Sequence, residues 1–294
     1  MNKTQSTPII LNGRTVADEV LKNVKLEIND LKIKGKRVPG LAVVLVGNDP
    51  GSQTYVNSKE KKSIDLGIYS EIHRLPESTQ EEELLKLITA LNKNVNIDGI
   101  LVQLPLPKHI NSDRVIKNIS PSKDVDGLHP HNLGKLISNE KSLKPCTPSG
   151  VMEILKYYSI NPEGKNAVVI GRSILVGKPI SLLLLNKNAT VTIAHSKTKD
   201  IEAICKNADI LVVAIGKPNF VKKEFVKSDA IIIDVGINRI QVAGENKLVG
   251  DVDFNEVSPI CKAITPVPGG VGPVTIAMLM SNTLEAYKMR SGIN

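Results

Sequence analysis

The chain alternates between two kinds of hydrophobic pattern. Short runs of valine, isoleucine, leucine and alanine, most of them ended by glycine or proline, are typical of buried strands. The stretches between them place apolar residues every three or four positions, as an amphipathic helix does. This alternation predicts an α/β fold with parallel sheets. The predicted strands lie at residues 40–46, 69–75, 98–104, 164–171, 189–194, 208–218 and 229–238.

Helix signals occupy the intervening segments. Valines and a leucine recur at near-helical spacing across residues 13–34, and Gly35 stands where a C-cap belongs. Thr79 precedes a glutamine and three glutamates, a pattern that predicts an N-cap and a helix running to about Lys93. Further helices are predicted at residues 112–118 and 180–185, and Pro148 and Ser149 are predicted to open another that contains residues 151–158.

Composition and charge exclude several classes of protein. The 294 residues suffice for two domains, and no apolar run is long enough to cross a membrane, so no membrane partner is expected. The net charge of +8 comes from scattered lysines in a chain with only 3% aromatic residues, which argues against a nucleic-acid partner. The three cysteines offer no disulfide framework and the first residues lack a signal-peptide pattern. We therefore expect a cytoplasmic protein.

The stretch from Val43 to Ile68 holds the first candidate for chemistry. A buried strand, a turn of glycine, asparagine, aspartate and proline, and a helix follow one another here. Tyr55 and Lys59 are four residues apart, so they share one face of that helix. They lie just beyond the carboxyl end of a strand, where open α/β sheets bind ligands. The alternative is an ordinary solvated charge run, because Lys61 and Lys62 follow closely.

Two further segments of the first half carry candidate polar groups. Gln103 lies at the carboxyl end of the strand at residues 98–104. It is either a satisfied edge residue or a hydrogen-bond partner that positions the Lys59 amine. Asp124 and Asp126 lie in a glycine-containing turn. That turn is either a tight loop with Asx hydrogen bonds or a site whose carboxylates bind a heterocycle with several hydrogen-bond donors.

The first half closes with a histidine pair and a proline-rich segment. His129 and His131 have a metal-like spacing, but no cysteine, aspartate or glutamate stands at a supporting distance along the chain. We therefore predict no metal site. The sequence PCTPSG at residues 145–150 is the predicted hinge between two domains.

The second half has the pattern of a nucleotide-binding unit. A strand, a glycine turn, an apolar helix and a second strand follow one another within about thirty residues, as in a βαβ unit. The turn would place Gly171 and Gly177 beside a pyrophosphate at the start of the helix. Their spacing is GxxxxxG and not GxGxxG, so the surrounding pattern carries more weight than the motif. Four strands of this kind predict a doubly wound sheet.

The end of the second strand of this unit predicts the cofactor. NAD enzymes usually place an acidic residue there, which binds a ribose hydroxyl. Here His195, Ser196 and Lys197 follow the strand, and Arg172 and Ser173 lie in the facing glycine turn. Cations and hydroxyl donors without a carboxylate favour a 2′-phosphate. We therefore predict NADP as the cofactor.

A loop rich in glycine and proline runs into an apolar helix near the end of the chain. Residues 265–283 read TPVPGGVGPVTIAMLMSNT, in which Pro273 suits the first turn of a helix. The loop is either a simple connection to a core helix or a backbone surface that approaches a flat ligand closely.

Eight segments of the chain stand in a recognisable order. Together they resemble the bifunctional methylenetetrahydrofolate dehydrogenase/methenyltetrahydrofolate cyclohydrolase family, over nearly the whole chain. The sequence departs from the family pattern only where Gly51 replaces a common alanine and Val274 a common methionine. The segments are YVNSK (55–59), LVQLPLP (101–107), KDVDG (123–127), PCTP (145–148), GRSILVGKP (171–179), IDVGIN (233–238), GDVDF (250–254) and PVPGGVGP (266–273).

The resemblance implies an enzyme of one-carbon folate metabolism, which serves purine biosynthesis. It implies NADP-dependent oxidation of 5,10-methylenetetrahydrofolate to 5,10-methenyltetrahydrofolate and then hydrolysis to 10-formyltetrahydrofolate. Lys59 matches the catalytic lysine and Tyr55 the tyrosine that lies over the folate. Gln103 matches the glutamine that hydrogen-bonds the lysine, and Asp126 the aspartate that binds the pteridine ring. Positions that match NADP contacts are Gly171, Arg172, Ser173, Ser196 and Ile237, and those of the folate-side loop are Pro268, Gly269, Gly270 and Val271.

The resemblance also implies an arrangement of domains. Residues 1–147 with a returning C-terminal helix at 272–294 are expected to form an α/β catalytic domain that binds tetrahydrofolate derivatives. Residues 148–271 are expected to form a Rossmann-like, doubly wound NADP-binding domain, with a cleft between the two. A homodimer is implied as well. Two alternatives stay open: a monofunctional dehydrogenase, and a non-catalytic basic binding protein on the same fold.

Overall fold

A computed structural model describes residues 7–242 and 244–293. The described chain forms two compact units. Unit 1 contains the described residues up to Ala17 together with Thr147–Thr275, and unit 2 contains Asp18–Cys146 together with the described residues from Ile276 onward. No described helix combines the length and the apolar character needed to cross a membrane.

Unit 2 is built on a three-stranded parallel sheet with the order β3-β2-β4. Every residue of the central strand β2 is buried, as expected for a strand covered on both faces. Helix α3 buries Leu84, Ile88 and Leu91 in the same core. The elements are α1 (Gly13–Ile33, which begins in unit 1), β2 (Gly40–Val46), α2 (Pro50–Leu66), β3 (Tyr69–Leu75), α3 (Glu81–Lys93), β4 (Gly99–Val102), α4 (Ser112–Asn118), α5 (Pro130–Ile137) and the larger part of α10 (Val271–Ser291).

Unit 1 is built on a six-stranded sheet with the order β1-β11-β8-β7-β5-β6, in which every neighbouring pair is parallel. Strands β9 and β10 form a separate antiparallel pair. The predicted α/β class and the doubly wound, Rossmann-like sheet are confirmed. The elements are β1 (Ile9–Ile10), α6 (Cys146–Tyr157), β5 (Asn166–Ile170), α7 (Gly177–Leu185), β6 (Thr190–Ala194), α8 (Ile201–Cys205), β7 (Ile210–Val213), a 3-10 turn (Lys223–Phe225), β8 (Ile231–Asp234), β9 (Asn238–Val242), β10 (Glu245–Val249), α9 (Phe254–Val257) and β11 (Ala263–Ile264).

Each sheet has a point at which its strand order reverses. In unit 2 the chain passes from β2 to β3 on one side and then returns across β2 to β4. In unit 1 it passes from β5 to β6 and then returns across β5 to β7. Because the connections on the two sides of such a point leave a crevice beyond the carboxyl ends of the strands, ligands of open α/β sheets bind there. We therefore expect the predicted site residues to lie at these two points.

Most predicted elements are present, but two helices begin at residues other than the predicted ones. The predicted N-cap Thr79 is wrong, because α3 begins one residue later with Gln80 as its N-cap. The Glu83 carboxylate accepts a hydrogen bond from the Gln80 backbone N–H at 3.1 Å, which is half of a capping box. Helix α6 begins at Cys146, earlier than the predicted opening at Pro148. The predicted C-cap Gly35 has φ +66° and follows α1.

The first described residues pair with a strand of unit 1. Strand β1 pairs in parallel with β11, and the Leu11 backbone N–H donates to the Ile264 carbonyl oxygen at 2.8 Å. Residues 7–17 therefore cluster with unit 1, and the predicted bounds of the catalytic domain, which include them, stay a prediction. Residues 1–6, Ala243 and Asn294 of the predicted domains lie outside the described residues.

Candidate active site

Helix α2 carries the first candidate residues, and its ends are well defined. The Asp49 carboxylate accepts a hydrogen bond from the Ser52 backbone N–H at 2.7 Å, and Pro50 occupies the first turn. Gly67 ends the helix with φ +80°. The helix begins beyond the carboxyl end of β2, so its first turns lie at the reversal point of the sheet in unit 2.

Lys59 lies on the buried face of this helix. Its side chain is only 9% exposed, and its Nζ donates to the Gln103 Oε1 at 2.8 Å. Lys61, by contrast, is exposed. A solvated charge run is therefore the wrong interpretation of Lys59, whose long side chain is directed to one polar partner.

Gln103 is held on both sides of its side-chain amide. It directly follows β4, and its backbone N–H donates to the Val44 carbonyl oxygen of the neighbouring strand at 2.8 Å. Its Nε2 donates to the Leu104 carbonyl oxygen at 2.7 Å, which directs Oε1 towards Lys59. The Gln103 side chain is therefore satisfied, and one of its two partners is the Lys59 amine, so the structure agrees with both interpretations.

Burial sets the protonation of the two α2 residues. Desolvation lowers the pKa of the Lys59 amine, and interactions with Asp126 and Cys146 partly oppose that shift. Desolvation also raises the pKa of the Tyr55 phenol, which therefore stays neutral. The site accordingly pairs a lysine that gives up its proton more easily than usual with an uncharged ring.

The two aspartates of the 123–127 turn have different environments. Asp124 is 1% exposed and its Oδ2 accepts hydrogen bonds from the His129 backbone N–H at 2.7 Å and from Asn132 Nδ2 at 2.9 Å. It stabilises the loop, as the tight-turn alternative predicts. Asp126 is half-buried. Desolvation raises the pKa of the Asp126 carboxyl, and attraction to Lys59 counteracts this. Of the two aspartates, Asp126 is the one whose charge acts on the Lys59 amine.

Two residues of this neighbourhood were not singled out from the sequence. The Cys146 thiol is buried and donates to the Val125 carbonyl oxygen at 3.2 Å. Asn282 on α10 donates through Nδ2 to the carbonyl oxygens of Val125 and Lys144, each at 2.8 Å. The position of Cys146 in the PCTP segment was available as a signal. No local pattern marks Asn282, because its partners lie more than a hundred residues earlier in the chain.

The histidine pair has a local structural role. His129 is the N-cap of α5, and its Nδ1 accepts a hydrogen bond from the His131 backbone N–H at 3.0 Å. Within residues 7–242 and 244–293, no group of three or more potential ligand side chains is arranged to hold a metal ion.

The glycine turn after β5 packs closely against neighbouring backbone. Gly171 has φ +128°, and a Cβ atom there would overlap the Ala214 carbonyl. A Cβ at Gly177, the first residue of α7, would overlap the backbone of Gly171. Ser173 Oγ accepts a hydrogen bond from the Val176 backbone N–H at 3.1 Å. The turn therefore brings backbone close to the amino end of a nine-residue helix, a favourable place for phosphate.

The turn after β6 suits a 2′-phosphate. Residues 195–199 contain no carboxylate, and Ser196 and Lys197 are exposed. The His195 backbone N–H donates to Thr198 Oγ1 at 2.9 Å, which stabilises the turn. Arg172, after β5, is exposed as well. The donor set of this part of unit 1, made of hydroxyls and cations, therefore fits the phosphate that distinguishes NADP from NAD.

The glycine-rich loop before α10 packs against the start of α1 within unit 1. The Gly13 backbone N–H donates to the Gly269 carbonyl oxygen at 2.9 Å, and a Cβ at Gly13 would overlap the Gly270 carbonyl. Pro273 lies in the first turn of α10, as predicted. Ile237 is 46% exposed, and its Cδ1 would lie 3.4 Å from a Cβ at Gly272.

The predicted site residues thus fall into two sets. Unit 2 holds Tyr55, Lys59, Gln103 and Asp126. Lys59 and Gln103 are hydrogen-bonded, and Asp126 acts on the lysine only through electrostatic attraction. Unit 1 holds the second set, at or near the carboxyl ends of its strands: Gly171, Arg172, Ser173, Ser196, Ile237, Pro268, Gly269, Gly270 and Val271.

Two family models match the chain. Residues 11–126 match the catalytic domain of tetrahydrofolate dehydrogenase/cyclohydrolase, and residues 145–291 match the NAD(P)-binding domain of the same enzyme. Together they span most of both units.

Two relatives match over nearly their whole length. The bifunctional protein FolD of Campylobacter concisus is 56% identical over 285 residues, which is 97% of this chain and 99% of that protein. The bifunctional protein FolD of Acetivibrio thermocellus is 53% identical over 282 residues, 96% of this chain and 98% of that protein.

Solved structures show the same fold. The bifunctional FolD methylenetetrahydrofolate dehydrogenase/cyclohydrolase of Campylobacter jejuni is 48% identical with a TM-score of 0.92, and the match covers 96% of this chain and 99% of that one. The Trypanosoma brucei enzyme, solved with NADP cofactor and an inhibitor, is 39% identical with a TM-score of 0.92, covering 97% and 98%.

These findings confirm the activity and the cofactor predicted from the sequence. The protein is a bifunctional, NADP-dependent methylenetetrahydrofolate dehydrogenase and methenyltetrahydrofolate cyclohydrolase that acts on tetrahydrofolate derivatives. The chain belongs to the tetrahydrofolate dehydrogenase/cyclohydrolase family.

Proposed function

We propose that Lys59 is the general base of the hydrolytic step and that unit 2 is the folate-binding, catalytic part of the chain. The observation that carries the proposal is the hydrogen bond from the buried Lys59 amine to Gln103. Water must lose a proton as it adds to the methenyl carbon. An amine with a lowered pKa accepts that proton, and the Gln103 amide oxygen stabilises the ammonium that forms. The ammonium then returns the proton to N5 as the bond between N5 and the hydrated carbon breaks, which leaves the formyl group on N10 and the amine neutral.

Two other residues of unit 2 orient the folate. Tyr55 offers a neutral ring for stacking on the pteridine. Asp126 offers a carboxylate to the N–H donors of the pteridine edge, and such a charge-assisted contact is both strong and directional. Because Asp126 also interacts with Lys59, it couples the position of the ring to that of the amine.

Unit 1 is proposed to bind NADP. Gly171 and Ser173 in the turn before α7 approach the pyrophosphate, and Arg172 and Ser196 bind the 2′-phosphate. Ile237 supplies apolar surface for the nucleotide. The loop from Pro268 to Val271 is proposed to contact folate and not NADP. NADP+ supplies the hydride acceptor when it is bound, and the protein contributes alignment of the reacting groups.

Replacement of the lysine tests this assignment. In Lys59→Met we expect cyclohydrolase activity to fall by at least about a hundredfold, the usual range for loss of a general acid–base group, while NADP+ binding is kept. The matched control is Lys61→Met, which changes an exposed lysine of the same helix and should keep the parent rate. Hydrolysis of methenyltetrahydrofolate by Lys59→Met at the parent rate would contradict the role.

A cytoplasmic location is proposed on the sequence grounds given above, and a homodimer on the exposed edge of a sheet. Strand β3 is the outer strand of a parallel sheet, and among the described residues no strand pairs with its free edge. Exposed edges of this kind are normally covered, and a second copy could cover this one. Light scattering coupled to size-exclusion chromatography should give about twice the mass of the 31.8 kDa chain. A mass of one chain at micromolar concentration would contradict the dimer.

A further inference from the structure

Two buried aspartates in unit 1 have no role in the chemistry described above. Asp234 ends β8 and is 3% exposed, and Asp251 follows β10 and is fully buried. They belong to the IDVGIN and GDVDF segments. A buried carboxylate is costly unless its oxygens accept several hydrogen bonds, so the partners of these two show what the pair does.

Asp251 connects two loops beyond the carboxyl ends of the strands. Its Oδ2 accepts hydrogen bonds from the backbone N–H groups of Ile215 at 2.7 Å and Gly216 at 2.9 Å. Its Oδ1 accepts from the Lys217 backbone N–H and from Asn238 Nδ2, each at 2.8 Å. One carboxylate therefore holds the turn after β7 and the first residue of β9 together.

Asp234 supports Asp251 from the other side. Its Oδ1 accepts from the backbone N–H of Gly236 at 2.9 Å and from that of Asp251 at 3.0 Å. A Cβ at Gly236 would overlap the Asp251 carboxylate, and a Cβ at Gly250 would overlap that of Asp234. The glycines of the two segments are required because the carboxylates occupy the space of their side chains.

The loops fixed in this way adjoin the NADP positions. Ile237 lies between Gly236, which Asp234 holds, and Asn238, which Asp251 holds. The turn at 215–217 follows β7, which together with β5 forms the reversal point of this sheet. Gly171 packs against Ala214 at the start of that turn. The carboxylate pair thus holds one loop of the predicted nucleotide crevice, the turn after β7, together with the adjacent loop after β8 that carries Ile237.

We propose that Asp251 is a positioning residue for NADP+ binding, which acts by fixing the 215–217 turn and the Asn238 side chain next to Ile237. The inference rests on the proposed placement of NADP in unit 1. It concerns a residue that touches the loops and not the cofactor, and it predicts an effect on nucleotide affinity that is separate from folate hydrolysis.

Asparagine at position 251 is the informative change. It has the same shape but only one acceptor oxygen, and its NH2 group is itself a donor. In either orientation the NH2 group would face two of the four donors around it, so two hydrogen bonds are lost while the side-chain volume is kept. The turn at 215–217 or the start of β9 is then released.

The test measures NADP+ binding by titration calorimetry and methenyltetrahydrofolate hydrolysis without added nucleotide. We expect Asp251→Asn to raise the NADP+ dissociation constant at least tenfold and to leave the hydrolysis rate within twofold of the parent. The matched control is Asp209→Asn. Asp209 also accepts a backbone N–H, that of Asn166 at 2.8 Å, but at the amino ends of β5 and β7. It should change neither quantity by more than twofold.

A dissociation constant within twofold of the parent in folded Asp251→Asn would overturn the proposal, and so would an equal loss of both quantities. If Asp251→Asn does not fold, Asn238→Ala decides, because it removes one of the four hydrogen bonds: at least threefold weaker NADP+ binding supports the proposal and unchanged binding overturns it. Arg172→Ala separates this inference from the placement of the cofactor. Unchanged NADP+ affinity in Arg172→Ala would show that the cofactor site itself is misplaced.

Discussion

At the scale of single residues, the environment of Lys59 decides the chemistry. A lysine on a helix is usually charged and solvated, yet this one is buried and bonded to a neutral amide. A neutral partner stabilises the ammonium less than a carboxylate would, so desolvation prevails and the pKa is lowered. The choice of glutamine at position 103 is therefore part of how the amine is tuned.

Replacing that glutamine by glutamate should shift the pH dependence of hydrolysis. A carboxylate next to Lys59 favours the ammonium, so the pKa of the amine rises in Gln103→Glu. If the neutral amine is the active form, activity appears only above its pKa, and the rising limb of the pH–rate profile moves to higher pH, by about one unit or more for an adjacent charge. The profile is measured with methenyltetrahydrofolate, after subtraction of its uncatalysed hydrolysis.

Gln103→Met is the companion variant, since it removes the acceptor without adding charge. Its rate should fall while the limb stays at or below the pH of the parent. A limb that moves to lower pH in Gln103→Glu would contradict the assignment of Lys59 as the titrating group.

The site residues differ in how far the sequence alone predicts them. Tyr55 and Lys59 were accessible because helical spacing alone puts them on one face, and Gln103 because it ends a strand. Their importance became clear only through the family segments. Asn282 and Asp251 were out of reach, since each acts by bonding to backbone groups that are distant in the chain.

At the scale of elements, long periodic segments were predictable and short exposed ones were not. Strand β2 and helix α1 follow directly from the apolar pattern. Strands β1 and β11 have two residues each, and β10 is almost fully exposed, so none of them has a pattern that differs from a loop. Their pairing depends on tertiary contacts that a local pattern does not contain.

The end of α3 carries a pH-dependent contribution to stability. Lys123 is 2% exposed, and its Nζ donates to the carbonyl oxygens of Leu91 and Asn94 at this helix end, at 2.9 and 2.7 Å. Desolvation is the main cause that lowers the pKa of the amine from 10.5 to about 8. Repulsion from Arg290 and Arg37 lowers the pKa further, and attraction to Asp98 opposes the shift. The native state therefore binds fewer protons than the unfolded state between about pH 8 and 10.5.

It follows that the free energy of unfolding gains from Lys123 as the pH rises from about 8 to 10.5, by at most ~3 kcal/mol. Urea unfolding of the parent and of Lys123→Met, each at pH 7.5 and at pH 10, isolates the contribution of Lys123 to the free energy of unfolding. We expect the variant to lack the gain, so that the difference between the two proteins changes with pH. A difference that is the same at both pH values would contradict the shifted pKa.

At the scale of the whole molecule, the chain contains two parallel sheets, each with its own reversal point and its own set of site residues. The family could be predicted because eight separate segments kept their order along the chain. The placement of residues 7–17 in unit 1 could not, because β1 finds its partner about 250 residues later. The net charge of +8 favours association with anionic ligands, and both NADP and folate carry negative charge.

One chain oxidises methylenetetrahydrofolate with NADP+ and hydrolyses the methenyl product. Both activities are measured by an absorbance assay that follows formation of methenyltetrahydrofolate with NADP+ or NAD+ and, in a second cuvette, the decay of added methenyltetrahydrofolate. We expect formation to require the nucleotide and to be faster with NADP+, and decay to be accelerated by the enzyme. Formation without accelerated decay would leave a monofunctional dehydrogenase, and the absence of both signals would contradict the account.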